Sequence, residues 1–233
     1  MKFLAIAALC SAGLACSAAG AQNLLVNGSF EQFNADHPFA PGGDDTQQFL
    51  PGSTGILGWT VTSGTDIALT GPTNPYGDFA SDGNYSLDLT GYADGNPFGG
   101  VSQTIATVVG QHYRLTFDLG NNVRYENENF GSILLASAGS TSQTFTNLAY
   151  DPNLQVETWA TETLDFVATG SSTLITLHGG ASGAQQAAIG LDNVRVEAIA
   201  GGVPEPASWA LMLGGFGMVG GALRSRKRAV AFA

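Results

Sequence analysis

A chain of 233 residues, 44% hydrophobic and only 12% charged, is long enough for one large domain or two small ones and too apolar to remain a solvated coil. Its 32 glycines follow no three-residue period, which excludes a collagen-like rod. Between residues 22 and 203 only Arg114, Arg124 and Arg195 stand against eighteen acidic residues, all but Glu205 of the chain's nineteen, leaving about −15; so acidic a body, without a basic stripe, repels phosphate backbones and excludes nucleic acid as a partner.

The chain opens with Met1 and Lys2, followed by an apolar run rich in Ala and Leu from Phe3 to Ala15. Ala19, Gly20 and Ala21 then supply a small-x-small site. A positive start, an apolar stretch and a small-residue site in that order predict a secretory signal over residues 1–21, cleaved after Ala21 to leave Gln22 as the new N-terminus. Leu14-Ala15-Cys16 offers a fainter lipoprotein-like alternative, weakened by Gly13 where that pattern wants Leu. Both cysteines, Cys10 and Cys16, fall within the removed segment, so the exported product is expected to use neither a disulfide nor a thiolate.

From Gln22 to Ala200 there is no sustained 3.6-residue periodicity, but short alternating runs recur between Gly, Asn and Asp turns, which predicts strands. In chain order the candidates are Leu24 to Val26, Trp59 to Val61, Ile67 to Leu69, Tyr85 to Leu89, Val101 to Ile105, Tyr113 to Leu119, Ser132 to Ala136, Thr144 to Leu148, Thr158 to Val167, Thr173 to Leu177 and Ile189 to Val196. The clearest is 113–119, with Tyr113, Leu115, Phe117 and Leu119 on one face. Tyr85, Leu87 and Leu89 repeat the scheme, placing Ser86, Asp88 and Thr90 outward. Asn34 to Ser53 reads as a polar loop, and Asp82-Gly83 and Asp94-Gly95 as turns. One-sided alternation over so many strands predicts an all-β domain over 22–200, two sheets packed face to face.

Residues 201–206 form a linker, and Ala207 to Leu223 runs uncharged into Arg224, Ser225, Arg226, Lys227 and Arg228. That arrangement predicts a membrane-crossing helix at the short limit of length over 207–223, with residues 224–233 held in the cytoplasm. Gly215-Phe216-Gly217-Met218-Val219-Gly220 spells G-x-G-x-x-G, but no strand precedes it and no βαβ unit surrounds it, so it predicts no dinucleotide site. Val203-Pro204-Glu205-Pro206-Ala207-Ser208-Trp209-Ala210, the short Gly-rich stretch and the basic end together resemble the PEP-CTERM sorting signal in its PEPxxWA form. The resemblance implies that Pro204, Glu205, Pro206 and Trp209 are read by exosortase, a membrane-embedded cysteine peptidase of Gram-negative bacteria. It also implies a temporary membrane anchor, a cleaved tail, and a link to exopolysaccharide and biofilm.

The body carries a second resemblance. Asn23-Leu24-Leu25-Val26-Asn27-Gly28-Ser29-Phe30-Glu31, Leu57-Gly58-Trp59, Gly83-Asn84-Tyr85-Ser86-Leu87-Asp88-Leu89 and Gly190-Leu191-Asp192-Asn193-Val194-Arg195-Val196 follow in this order. They resemble the galactose-binding-like jelly rolls of the choice-of-anchor C family, related to plant cell-wall proteins and to some carbohydrate-binding modules. This implies a jelly-roll β-sandwich associated with extracellular polysaccharide. It further implies a structural calcium with Glu31 and Asp192 among its oxygens; the alternative for the same pair is that Glu31 caps a turn and Asp192 accepts backbone hydrogen bonds.

Enzyme signatures are sparse. His37, His112 and His178 are widely spaced and begin no H-E-x-x-H pair, and no Ser sits in G-x-S-x-G. Dispersed carboxylates leave a polysaccharide hydrolase or lyase as the alternative to a non-catalytic surface protein, although Asp36, Asp44 and Asp45 read as solvated loop acids. Sugar recognition is sought among loop aromatics, whose flat rings stack on pyranoses: Tyr76, Phe79, Tyr92, Phe98, Tyr125 and Phe130. Tyr125 and Phe130, in a loop that also holds acids and amides, rank first as glycan contacts, whereas Trp59, Tyr113, Phe117 and Phe166 fall on strand patterns and are assigned to the core.

Overall fold

The computed structural model describes residues 22–35, 38–62, 64–92, 98–123, 131–149, 151, 156–180 and 187–199, with 215, 216 and 224. Eleven strands are present among them: β1 (Thr46–Phe49), β2 (Thr60–Val61), β3 (Ile67–Thr70), β4 (Ser86–Asp88), β5 (Gly100–Ala106), β6 (His112–Val123), β7 (Ser132–Ala138), β8 (Thr141–Asn147), β9 (Thr158–Val167), β10 (Ser172–Gly179) and β11 (Ala187–Ala198). They form a six-stranded sheet in the order β1-β3-β4-β11-β6-β9 and a five-stranded sheet in the order β2-β5-β10-β7-β8. Every pairing within them is antiparallel. The expected all-β sandwich is what the chain adopts.

Alternation builds the core. Leu69, Leu87, Leu191 and Leu119 stand opposite one another across four strands of the first sheet. Val61, Val101, Leu177 and Ala136 do the same across the second. All eight are buried, and each large aliphatic side chain so withdrawn from water contributes about 1.5–3 kcal/mol. Trp59, Tyr113, Phe117 and Phe166 are buried as expected. Trp59 packs its ring 5.4 Å from that of Phe30 and donates its indole N–H to the Asn27 carbonyl at 2.9 Å. Trp59→Ala is expected to lower unfolding free energy by about 3–5 kcal/mol, read as a fall in the denaturant midpoint.

Several sequence expectations are corrected. Leu24 to Val26 is not a strand: the chain turns through positive φ at Asn27 and Phe30, and its N–H groups reach the Val196 carbonyl and the Gln103 side chain instead of a regular ladder. The polar stretch 34–53 contains β1. Ser86, Asp88 and Thr90 do not face solvent; all are buried. The reason is that the 71–82 and 90–92 segments fold over the outer face of β3 and β4, with Thr70 Oγ1 bonded to Ser86 Oγ at 2.9 Å and to the Asp78 carbonyl at 3.1 Å. Phe98 is likewise in the core rather than on a loop surface. The Asp94-Gly95 turn lies outside the described residues, whereas Gly83 takes the positive φ its turn requires.

Candidate functional site

The covered outer face of β1, β3 and β4 encloses an open cavity of about 300 Å³, lined by Asp44, Thr46, Ala68, Thr70, Tyr76, Asp78, Asp88, Gly91 and Tyr92. Strand pairing makes the floor: Thr46 stands opposite Thr70, and Ala68 opposite Asp88. A small side chain at Ala68 and none at Gly91 leave the hollow. Tyr76 and Tyr92 form the rim, 40% and 50% exposed.

Both rings are fixed at each end. Tyr76 donates its hydroxyl to Asp44 Oδ2 at 2.9 Å and its backbone N–H to Asn74 Oδ1 at 3.0 Å. Tyr92 places its hydroxyl 2.5 Å from Thr46 Oγ1 and donates its N–H to Asp66 Oδ2 at 2.8 Å. Beneath them Asn74 is buried: its Nδ2 donates to the carbonyls of Gly71 and Asp78, while its Oδ1, by accepting from Tyr76 N, closes an Asx turn over the Asn74-Pro75 dipeptide. Asp45, at positive φ, ties the same loop to β1 by accepting from Thr73 N and Oγ1, both at 2.8 Å. Aromatic faces held this way lose little entropy when a ligand docks.

Asp44 and Asp45 are therefore half-buried, bonded groups rather than solvated loop acids. The hydroxyls of Tyr76 and then Thr46 hold the Asp44 carboxyl below the usual carboxylate range. Asp78 and Asp88 are buried, Asp78 accepting from Asn122 Nδ2 at 2.6 Å and Asp88 from Thr90 N and Oγ1 at 2.9 and 2.6 Å. No Lys, Arg or His lines the cavity among the described residues.

Of the six loop aromatics, Tyr76 and Tyr92 share this cavity; Phe79 is exposed but outside its lining. Tyr125 and Phe130 lie outside the described residues, as do Asp36, Ala19, Ala21, Pro204, Glu205, Pro206 and Trp209. Gln22 is exposed at the start of the described chain. The predicted membrane segment 207–223 is described only at Gly215 and Phe216. Among the described residues no helix is long and apolar enough to cross a membrane. The cavity's carboxylates were missed because Asp44 and Asp88 meet only once β1, β3 and β4 pair; their only sequence signal was the acids clustered near loop aromatics.

Glu31 and Asp192 occupy a different place. Glu31 Oε1 accepts the N–H groups of Asn84 and Tyr85 at 2.7 and 2.8 Å, and Oε2 accepts from Asn84 Nδ2. Asp192 Oδ2 accepts from Ser81 N and Asp82 N, both at 2.8 Å, and from Ser81 Oγ at 3.1 Å, while Oδ1 takes Asn193 N at 2.6 Å. Both carboxylates thus grip the 81–85 loop, one from the N-terminal segment and one from β11. Burial pushes Asp192 up to about 7 despite these donors. Calcium is coordinated by six to eight oxygens; in this arrangement Glu31 and Asp192 accept N–H and O–H donors, which is the turn-capping and backbone-bonding alternative for the pair. No group of three or more His, Cys, Asp or Glu suited to a metal ion occurs among the described residues.

The four motifs quoted from the sequence converge on this buckle. Asn27 donates to the carbonyls of Gln32 and Leu57, and Asn23 and Gly28 bond the backbone of Val194 and Val196.

Comparison with known proteins places these features. No curated protein matches the chain. Among solved structures it is similar to TmCBM61 in complex with beta-1,4-galactotriose (18% identity, 76% of this chain and 99% of that one, TM-score 0.46). It is also similar to a cyclase from Fischerella sp. TAU (20%, 75% and 95%, TM-score 0.44). A third is the CBM22-1 xylan-binding domain from Paenibacillus barcinonensis Xyn10C (16%, 67% and 94%, TM-score 0.36). The PEP-CTERM protein-sorting motif matches residues 202–227, over the segment whose Pro-Glu-Pro and Trp carried the first resemblance. Residues 23–197 match the model described as protein of unknown function (DUF642), from the Asn23 clasp to the penultimate residue of β11, and the chain belongs to that family.

Proposed function

We propose that this protein is an exported, non-catalytic surface protein that binds polysaccharide through the Tyr76–Tyr92 cavity. The observation that carries the reading is the pair of half-exposed tyrosine rings, each anchored through hydroxyl and backbone, over a hollow of carboxylates and hydroxyls. Rings stack on the C–H faces of a pyranose while carboxylates and hydroxyls take its polar groups. The sorting motif supports export and C-terminal processing by exosortase. In this reading residues 1–21 are removed, 207–223 anchor the chain transiently, and the sandwich ends at the cell surface or in an exopolysaccharide matrix. Tyr125 and Phe130 stay glycan-contact candidates on sequence grounds alone.

The reading is tested by retention of the full chain, in mild detergent, on a panel of immobilised polysaccharides. Tyr76→Ala combined with Tyr92→Ala is expected to weaken binding about 30-fold or more, at about 1–3 kcal/mol per lost stacking or pocket contact. Phe79→Ala, exposed but outside the cavity, is expected to bind as the parent does. Unchanged retention in the double variant overturns the site, and steady release of new reducing ends from any bound glycan overturns the non-catalytic assignment.

A further inference from the structure

The hydroxyl protons around the cavity can be traced. Asp44, held ionised by its partners, only accepts. Thr46 Oγ1 lies 3.0 Å from Asp44 Oδ1 and gives it its single proton. Tyr92, 2.5 Å from Thr46 Oγ1, must then be the donor of that contact. Tyr76 gives its proton to Asp44 Oδ2. The Thr70 hydroxyl is surrounded by the carbonyls of Asp78 and Ser86 and by Ser86 Oγ, all within the protein. Ala68 and Gly91 have no polar side-chain atom, and Asp78 and Asp88 accept from Asn122 Nδ2 and from Thr90 N and Oγ1. Among the described residues every side-chain proton of the lining hydroxyls is directed into the protein, so the described side chains that face the cavity offer acceptors, and Asp44 a negative charge.

A ligand group that fits must bring donors and no uncompensated acceptor. A sugar carboxylate brings only acceptors and a repelling charge, and an N-acetyl carbonyl brings an acceptor that no side-chain donor among the described lining residues meets. An ammonium brings three donors, no acceptor and the opposite charge. We infer that the sugar taken by this cavity is an amino sugar with a free ammonium, a unit of a de-N-acetylated hexosamine polymer, seated between Tyr76 and Tyr92 with its nitrogen towards Asp44. This inference rests on the cavity being the glycan site proposed above. A volume of about 300 Å³ lies at the small end of ligand pockets, suited to one ring of a chain.

The test compares the full chain, in mild detergent, against oligomers of one linkage and length carrying free amines, N-acetyl groups or plain hydroxyls, with a uronate oligomer as a fourth probe. The free amine is expected to bind at least about tenfold tighter than the N-acetylated form, the scale of one charge-assisted hydrogen bond, and the uronate is expected not to bind. Asp44→Asn should abolish that preference. Glu162→Gln, the same charge change on β9 away from the cavity, should keep it, and thermal melting confirms that both variants are folded. Equal binding of amine and N-acetyl forms, uronate binding, or a preference that survives in Asp44→Asn overturns the amino-sugar assignment. If hydroxyl oligomers bind in a Tyr76- and Tyr92-dependent way without an amine preference, that assignment fails while the cavity stands. If no oligomer binds in a tyrosine-dependent way, both fail.

Discussion

Asp192→Ala is expected to lower stability by about 3–5 kcal/mol, the sum of three backbone N–H groups left without an acceptor in a buried site. Those groups belong to Ser81, Asp82 and Asn193, and the side chain that serves them is fully buried. In a domain of this size the loss corresponds to a fall in melting temperature on the order of 10 °C. The same residue sets a pH dependence. Burial raises its pKa from 3.8 to about 7, so the folded protein holds the proton more tightly than the unfolded chain. Stability from this group is therefore complete below about pH 4, declines as pH rises through the interval up to about 7, and is flat above it. The groups facing Asp192 are Asp118 across the β6–β11 pair, which shares the Ser81 hydroxyl with it, and Asp82 on the gripped loop. Both are acidic. Denaturant midpoints measured between pH 5 and 8 should fall with rising pH in the parent and lose that slope in Asp192→Ala; a flat parent profile would contradict the assignment.

Gly28→Ala is the second large effect. A Cβ at position 28 would lie 1.9 Å from the carbonyl oxygen of Val194 and 3.0 Å from its carbon. The obstacle is backbone, which cannot rotate aside, and the Gly28 carbonyl itself receives Val194 N–H at 2.9 Å. Admitting one methyl group means separating the N-terminal segment from β11, with loss of that bond and of the contacts of Asn23 with Val194 and Val196. The expected cost is about 3 kcal/mol or more, together with protease sensitivity of the first residues. A comparison at Gly43, where a Cβ would meet nothing within 4 Å, should be near neutral. Equal stability of the two variants would show that the N-terminal segment is not held as described.

The long strands were legible because each has one wet face: in β6, Tyr113, Leu115, Phe117 and Leu119 are buried, while Arg114 reaches out to an exposed ion pair with Asp165. In β3 and β4 that contrast vanishes, since every residue from Ile67 to Thr70 and from Ser86 to Asp88 is buried, and alternation then says nothing about which face is covered. The cavity suffered from the same cause. Tyr76 and Tyr92 stood out as loop aromatics, but their partners Asp44 and Thr46 sit 32 and 46 residues away in sequence. A four-residue strand, β1, brings them there. Glu31 and Asp192 stand out through the motifs of the second resemblance, yet backbone N–H groups, which occur at nearly every residue, have no signature that would tell which of them, in the 81–85 loop, these carboxylates hold.

The position of β11 has a mechanical consequence. It lies between β4 and β6 in the interior of its sheet; the N-terminal segment also grips it, with Leu24 N–H on the Val196 carbonyl at 2.8 Å, and just beyond its end Ile199 N–H bonds the His112 carbonyl of β6 at 3.0 Å. Tension applied at residue 199 runs along the strand, perpendicular to its ladder bonds. Those bonds must then slide and rupture together instead of peeling one by one, so a domain tugged from its carboxyl-terminal side resists as a sheared lap joint rather than opening like a zip.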